Sequence, residues 1–307
     1  MENMSIYENI GKRTGGDVYL GVVGPVRVGK STFIKRFMDL MVIPNIKDMY
    51  ERQRVLDEMP QSGTGKTITT TEPKFIPAEG VKLRLEGNSE GVSKGVMEPH
   101  IDIRIRLVDC VGYMIPGAMG HIEDGEERMV ATPWSAEKLP FAQAAELGTE
   151  KVIKDHSTVG IVITTDGTIG TMDREEYREA EGKVIHQLQQ LGKPFIVVVN
   201  STKPDGVSAR NTATEIHEKY GTSAIIMDCA KATAHEMAEM MMGILGRFPV
   251  REVAFDIPGY VEGLDKDHWL REKLVENIKS WTESFRTMDD MKEVISGLAD
   301  GMMVKAA

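Results

Sequence analysis

Apolar and polar positions along this chain fall into blocks whose period switches. Val18-Tyr19-Leu20-Gly21-Val22-Val23 is a continuous apolar run of strand length, and in residues 31–40 Phe33, Phe37 and Leu40 recur at helical spacing on one stripe. Strand, loop and helix therefore follow one another. Residues 45–77 are polar, rich in Gly and Thr, and without a sustained period, which reads as a long functional loop. Two runs of period two come next, at 81–85 and 101–108, a pattern that suits antiparallel neighbours with one face buried. Residues 112–151, including Thr132-Pro133-Trp134, read as irregular.

The later pattern is more regular. A buried strand at 159–164 precedes a helix from about 173 to 191, and the apolar runs 195–199 and 224–227 are each followed by a helix-like segment. Repeated strand and helix predict an α/β fold, a mostly parallel sheet with helices on both faces. In such a sheet a ligand sits at the carboxyl ends of the strands. Beyond Pro258 the composition turns to charged helix, with Leu270, Leu274, Ile278 and Trp281 at helical spacing. The expected division is a nucleotide-hydrolase-like domain over 1–258 and a helical segment over 259–307 that begins a second domain.

Composition narrows the function classes. With 41% hydrophobic and 27% charged residues, the 307-residue chain has the makings of a large core. A net charge of -10 without a basic cluster argues against nucleic acid as a partner. Cys110 and Cys229 are the only cysteines and lack metal or disulfide spacing, which suits a reducing cytoplasm. No stretch approaches the roughly 20 apolar residues of a transmembrane segment, so any membrane contact is expected to be peripheral. The 20 methionines, crowded at 227–242, read as a soft core or interface.

Gly24-Pro25-Val26-Arg27-Val28-Gly29-Lys30-Ser31 is GxxxxGK[ST], placed after a strand and opening a helix. Its glycines allow main-chain N–H groups to turn toward phosphate, Lys30 neutralises the β/γ-phosphates, and Ser31 offers a hydroxyl to Mg²⁺. Val28, Gly29 and Thr32 complete the phosphate-binding surface. Arg27 reads equally as a phosphate or neighbouring-subunit contact and as an exposed loop charge. Asp109 ends a strand and opens DxxG with Gly112. Its carboxylate is placed to hold Mg²⁺-bound water, and the Gly112 N–H to meet a γ-phosphate. Between the two motifs lies Thr67-Ile68-Thr69-Thr70-Thr71, where one hydroxyl is expected to close over Mg²⁺ and γ-phosphate. Thr70 and Thr71, nearest the Glu72-Pro73 exit, are the candidates. Thr202-Lys203-Pro204-Asp205 is one residue from NKxD, the base-reading element of guanine-nucleotide hydrolases. Lys203 and Asp205 are present, while Thr202 stands where the bracing Asn is expected, so guanine selectivity is not secured. Tyr113 follows DxxG where switch GTPases commonly carry a water-orienting Gln, and unaided hydrolysis is expected to be slow.

The stretches RTGGDVYLGVVGPVRVGKSTFIKRFM, PQSGTGKTITTTEPKFIP, LVDCVGYMIPGAMGH and TPWSAEKLPFAQAAELGTEKVIKDHSTVGIVITTDGTIG together closely resemble the stage IV sporulation protein A family, over nearly the whole chain. That family looks like a branch of the translation-factor-related GTPases that has turned to ATP. The resemblance implies ATP hydrolysis that drives self-association into a static polymer, the basement layer of the spore coat on the mother-cell face of the forespore. It also implies anchoring there by a small amphipathic membrane peptide, and contact with spore coat proteins. By position it assigns Lys30 and Ser31 to the phosphate loop, Asp109 to the Mg²⁺ site and Thr70 with Thr71 to γ-phosphate sensing. Family chains continue into a middle and a C-terminal domain, so this chain is expected to be a shortened form with its nucleotide site complete. A GTPase switch and a nucleotide-stabilised scaffold are the competing readings.

Overall fold

The computed structural model describes residues 17–60, 72–86, 100–118, 122–123, 126–250, 252–255, 257, 259–291 and 294, and the chain divides into two compact units, Met1–Ile244 and Leu245–Ala307. Thr70 and Thr71 lie outside the described residues. The first unit opens with β1 (Asp17–Val23) and α1 (Lys30–Phe37), the latter running on through a π turn at Met38–Val42. Then come α2 (Met49–Glu58), β2 (Lys74–Glu86) and β3 (His100–Asp109). Two small antiparallel pairs follow, β4 (Ile122–Glu123) with β5 (Glu126–Glu127) and β6 (Met129–Thr132) with β7 (Ser135–Pro140). The remainder alternates: α3 (Phe141–Lys151), β8 (Val159–Thr165), α4 (Arg174–Gln190), β9 (Phe195–Asn200), α5 (Val207–Tyr220), β10 (Ala224–Met227) and α6 (Ala234–Gly246). The second unit holds α7 (Gly259–Glu262) and α8 (Trp269–Ser284).

Six strands form one sheet in the order β10-β9-β8-β1-β3-β2. Every neighbouring pair is parallel except β2 with β3, as the period-two runs predicted. All seven residues of β8 are buried, which is why its sequence is apolar without alternation. An ion pair within α4 is joined to β8: Arg174 donates to both oxygens of Glu181 at 2.7 and 2.9 Å, and the Thr164 hydroxyl of β8 donates to the same carboxylate at 2.6 Å. Two N–H groups against two carboxylate oxygens give that contact direction as well as strength.

Two helices appear where none was expected. Within 45–77, α2 starts at Asp48, whose carboxylate accepts the N–H groups of Tyr50 and Glu51. It buries only Val55 and leaves Met49 and Tyr50 open to solvent, so no apolar stripe announces it. Within 112–151, α3 buries Phe141, Ala144, Ala145, Gly148 and Thr149. That stripe has helical spacing but consists mostly of small residues, whose hydrophobic signal is weak. In the second unit α8 carries the expected stripe, yet it has no fully buried residue, and Leu270, Leu274, Ile278 and Trp281 are half-buried.

Candidate nucleotide-binding site

The carboxyl ends of β1, β3, β8 and β9 bring together Gly24, Asp109, Asp166 and Asn200. In the phosphate loop three residues have positive φ: Gly24 (141°), Arg27 (63°) and Gly29 (95°). The two glycines are required twice over, because a Cβ on Gly24 would stand 2.2 Å from the Ile163 carbonyl oxygen and one on Gly29 2.4 Å from Asn200 Nδ2. Arg27 takes the left-handed region with a side chain and is exposed, a conformation of the kind that costs about 1 kcal/mol or more. Gly29 caps α1, whose N-terminal N–H groups and dipole favour an anion.

Lys30 is 5% exposed, and its ammonium donates to the carbonyl oxygens of Pro25 at 2.6 Å and Gly24 at 3.4 Å. Among the described residues it makes no ion pair with a carboxylate. Burial lowers its pKa, partly opposed by Cys110 and Asp109. Asp109 is the counterpart: burial raises its pKa against the pull of Lys30. Its Oδ2 accepts the Ser31 hydroxyl at 3.4 Å, while its Oδ1 is buried without a hydrogen-bond partner. A hydroxyl beside a carboxylate with one unused oxygen fits a hard cation that takes its remaining ligands from water and phosphate. Cys110, next in the chain, is no nucleophile. Burial pushes its thiol up to about 11.

The DxxG segment is stitched to the phosphate loop. Tyr113 pairs with Pro25, its N–H donating to Gly24 O and its carbonyl accepting the Val26 N–H. The Tyr113 hydroxyl donates to Gln187 Oε1 at 2.6 Å. A Cβ on Gly112 (φ 98°) would lie 2.3 Å from Gly24 O and 2.4 Å from Lys30 Nζ, so only glycine fits. The Gly112 N–H, expected at a γ-phosphate, donates here to Thr149 Oγ1 at 3.2 Å.

The base-side expectation needs a correction. Thr202 is not in the bracing position; Asn200, two residues earlier, does that work. Its Nδ2 donates to Val28 O at 2.9 Å and its Oδ1 accepts the Cys229 N–H at 3.0 Å, so one amide ties the phosphate loop to the loop after β10. The amide supplies a donor and an acceptor on separate atoms, one for each loop. Lys203 and Asp205 are exposed, and Thr32 is half-buried. Asn200, Asp166, Ser201 and Thr149 were all missed from sequence. A polar residue closing an otherwise buried strand was the available signal for the first two.

Residues 1–249 match the family model for the stage IV sporulation protein A ATPase domain, and residues 250–307 that for its middle domain. The chain belongs to the stage IV sporulation protein A family. It is 43% identical over 298 residues to the stage IV sporulation protein A of Clostridioides difficile (strain 630), covering 97% of this chain and 58% of that one. Against the Bacillus subtilis (strain 168) protein of the same name it is 44% identical over 307 residues, covering 100% and 60%. The chain thus spans about three fifths of the length of the curated relatives it matches. Among solved structures it resembles the FeoB G-domain from Methanococcus jannaschii, with 12% identity, 74% of this chain and 96% of that one covered, and a TM-score of 0.31. That likeness is too slight to add to the topology itself. Among the described residues of this stage IV sporulation protein A family member, no helix is long and apolar enough to cross a membrane.

Proposed function

We propose that this chain binds MgATP at the phosphate loop and hydrolyses it, and that hydrolysis drives its self-association into the basement layer of the spore coat. The observation that carries the reading is Lys30, a buried ammonium that among the described residues is hydrogen-bonded only to main-chain carbonyls, and which an anionic phosphate would pair. The ATPase-domain match over residues 1–249 supports ATP as the nucleotide.

Lys30 and the N–H groups opening α1 face the charge that develops on the γ-phosphate, a contribution of positioning and electrostatics. Ser31 and Asp109 would hold Mg²⁺, with Thr70 or Thr71 closing over it. The metal, when bound, supplies neutralisation of the β- and γ-phosphate oxygens. Asn200 keeps the loop in place by holding Val28. Gly112 joins the γ-phosphate side once its N–H leaves Thr149. The mother-cell face of the forespore, a small amphipathic membrane peptide and spore coat proteins complete the proposal as site and partners.

Phosphate release from MgATP and from MgGTP, at equal concentrations, tests it with the parent chain and Lys30→Ala. ATP-selective release that the variant loses is the expected result. Release no faster than in the variant would leave a nucleotide-stabilised scaffold, and GTP-selective release would make the chain a GTPase switch. Sedimentation with ATP against a non-hydrolysable analogue tests the link to assembly, which fails if the two sediment alike.

A further inference from the structure

A cleft of about 610 Å³ opens on the sheet among Tyr19 of β1, Phe75 and Ala78 of β2, Arg106 of β3 and the segment 155–158 that leads into β8. Tyr19 stands five residues before Gly24, about 16 Å of extended chain, so the cleft is separate from the phosphate loop. Its three rings stand edge to face in a row: Tyr19 and Phe75 have centroids 6.3 Å apart at 89°, and Phe75 and His156 are at 5.7 Å and 79°. The Arg106 guanidinium lies over the Tyr19 ring, 5.4 Å from its centroid.

A break in the ladder places that guanidinium. β2 and β3 lose register between Ile76, paired with Leu107, and Val81, paired with Ile105, so residues 77–80 bulge opposite Arg106. Such a bulge re-aims the side chain beside it. A Cβ on Gly80 would stand 3.2 Å from Arg106 Nε and 2.6 Å from Arg104 Cγ, so the absence of a side chain there makes the room. Across β1, Asp17 stands in register with Arg104 and ion-pairs with it at 3.5 Å. Tyr19 stands in register with Arg106 and offers no carboxylate. Arg106 is half-buried, its Nε is buried without a hydrogen-bond partner, and among the described residues it makes no ion pair. The acid of the cleft, Asp155, is exposed on the rim and accepts the Lys151 ammonium at 3.0 Å.

We propose that this cleft binds a small aromatic carboxylate, whose carboxylate pairs with the Arg106 guanidinium and whose ring packs among Tyr19, Phe75 and His156. A guanidinium presents two N–H donors in one plane to the two oxygens of a carboxylate, and its partial burial strengthens the contact. One cation, with the Asp155 charge on the rim, suits a monoanion better than a phosphate dianion. The volume falls within the roughly 300–1,000 Å³ of small-molecule sites, and aromatic walls with a single charged group are their usual lining. Binding here needs no nucleotide at the phosphate loop.

Ligand-detected NMR titration of the chain with phenylacetate and with its uncharged amide, phenylacetamide, tests the site. Phenylacetate is expected to bind the parent about tenfold or more tightly than the amide, the share of a charged, bidentate contact. Arg106→Gln should bring the acid down to the level of the amide. Phe75→Leu should weaken both by about threefold or more, since the ring contact is common to them. Saturating inorganic pyrophosphate should displace neither, because the phosphate loop is a different site. Glycyl-glycyl-phenylalanine carries the same ring and a terminal carboxylate: binding tighter than that of phenylacetate assigns the occupant to the end of a chain, weaker binding to a free acid, and either supports the site. A parent that does not prefer the acid to the amide overturns it, as does loss of the acid on adding pyrophosphate, or a folded Arg106→Gln that keeps the preference. If Arg106→Gln does not fold, the acid-against-amide and pyrophosphate measurements on the parent decide.

Discussion

The phosphate end and the base end of the site are built on opposite principles. At the phosphate end, buried charge is only partly compensated among the described residues: Lys30 rests on carbonyl oxygens without an ion pair, and Asp109, its electrostatic neighbour, keeps an unused Oδ1. At the base end, each buried polar group named above is satisfied from within the chain, with Asp166, Thr168 and Ser201 closing a network on themselves. A buried, unpaired charge is a standing cost that a ligand of opposite sign removes. A closed network holds geometry whether or not a ligand is present. The first region is arranged to bind and the second to position.

The sharpest way to break that contrast is to remove the unpaired charge. Lys30→Met should lose nucleotide affinity by about a hundredfold or more, since a charged, desolvated contact of several kcal/mol disappears. The same substitution should leave the nucleotide-free protein at least as stable as the parent by thermal unfolding. A fall in stability comparable to a core truncation would mean that Lys30 is already paired. Next in size is Asn200→Ala, which cuts the amide that joins the two ends and leaves Val28 O and the Cys229 N–H unpartnered. A loss of about 2–4 kcal/mol in denaturant unfolding is expected, with ATP and GTP weakened together. Ser201→Ala opens only the base-end network, and about 1–2 kcal/mol of stability should go, with one Asp166 oxygen left unpaired. Inorganic pyrophosphate, which has no base, should bind this variant as it binds the parent.

The smallest effect is in pH. Burial lowers the pKa of Lys30, so the folded chain holds that proton less tightly than the unfolded one. Parent stability should therefore rise, relative to Lys30→Met, as pH climbs through the lowered value toward the ordinary lysine range near 10.5. Parallel unfolding of both proteins across alkaline pH measures the gap. A gap that widened would give the shift the wrong sign.

Much of the architecture was legible because it is written in local periods. The buried runs of β1, β8 and β9, and the alternation in β2 and β3, follow from which side of a strand meets the core, whereas β10, read as buried, is an edge strand with only Met227 buried. α2 and α3 escaped because one is polar nearly all round and the other buries small residues. The phosphate loop and Asp109 could be read directly, since glycine at positive φ and a strand-end carboxylate are constraints on single short segments.

Thus the chain's own order of residues was enough for the alternating α/β plan, the Gly24–Ser31 loop and the acid at Asp109. Tertiary structure alone decided that Asn200 is the brace, since its amide bonds Val28, 172 residues away, and Cys229, 29 residues away, and no local pattern encodes either partner. It also decided that Thr149 holds the Gly112 N–H and that Ser201 belongs to Asp166. Periodicity reports which face of an element is dry. Which distant donor meets which acceptor depends on how strands are ordered in the sheet, and that order is settled only when the whole core closes.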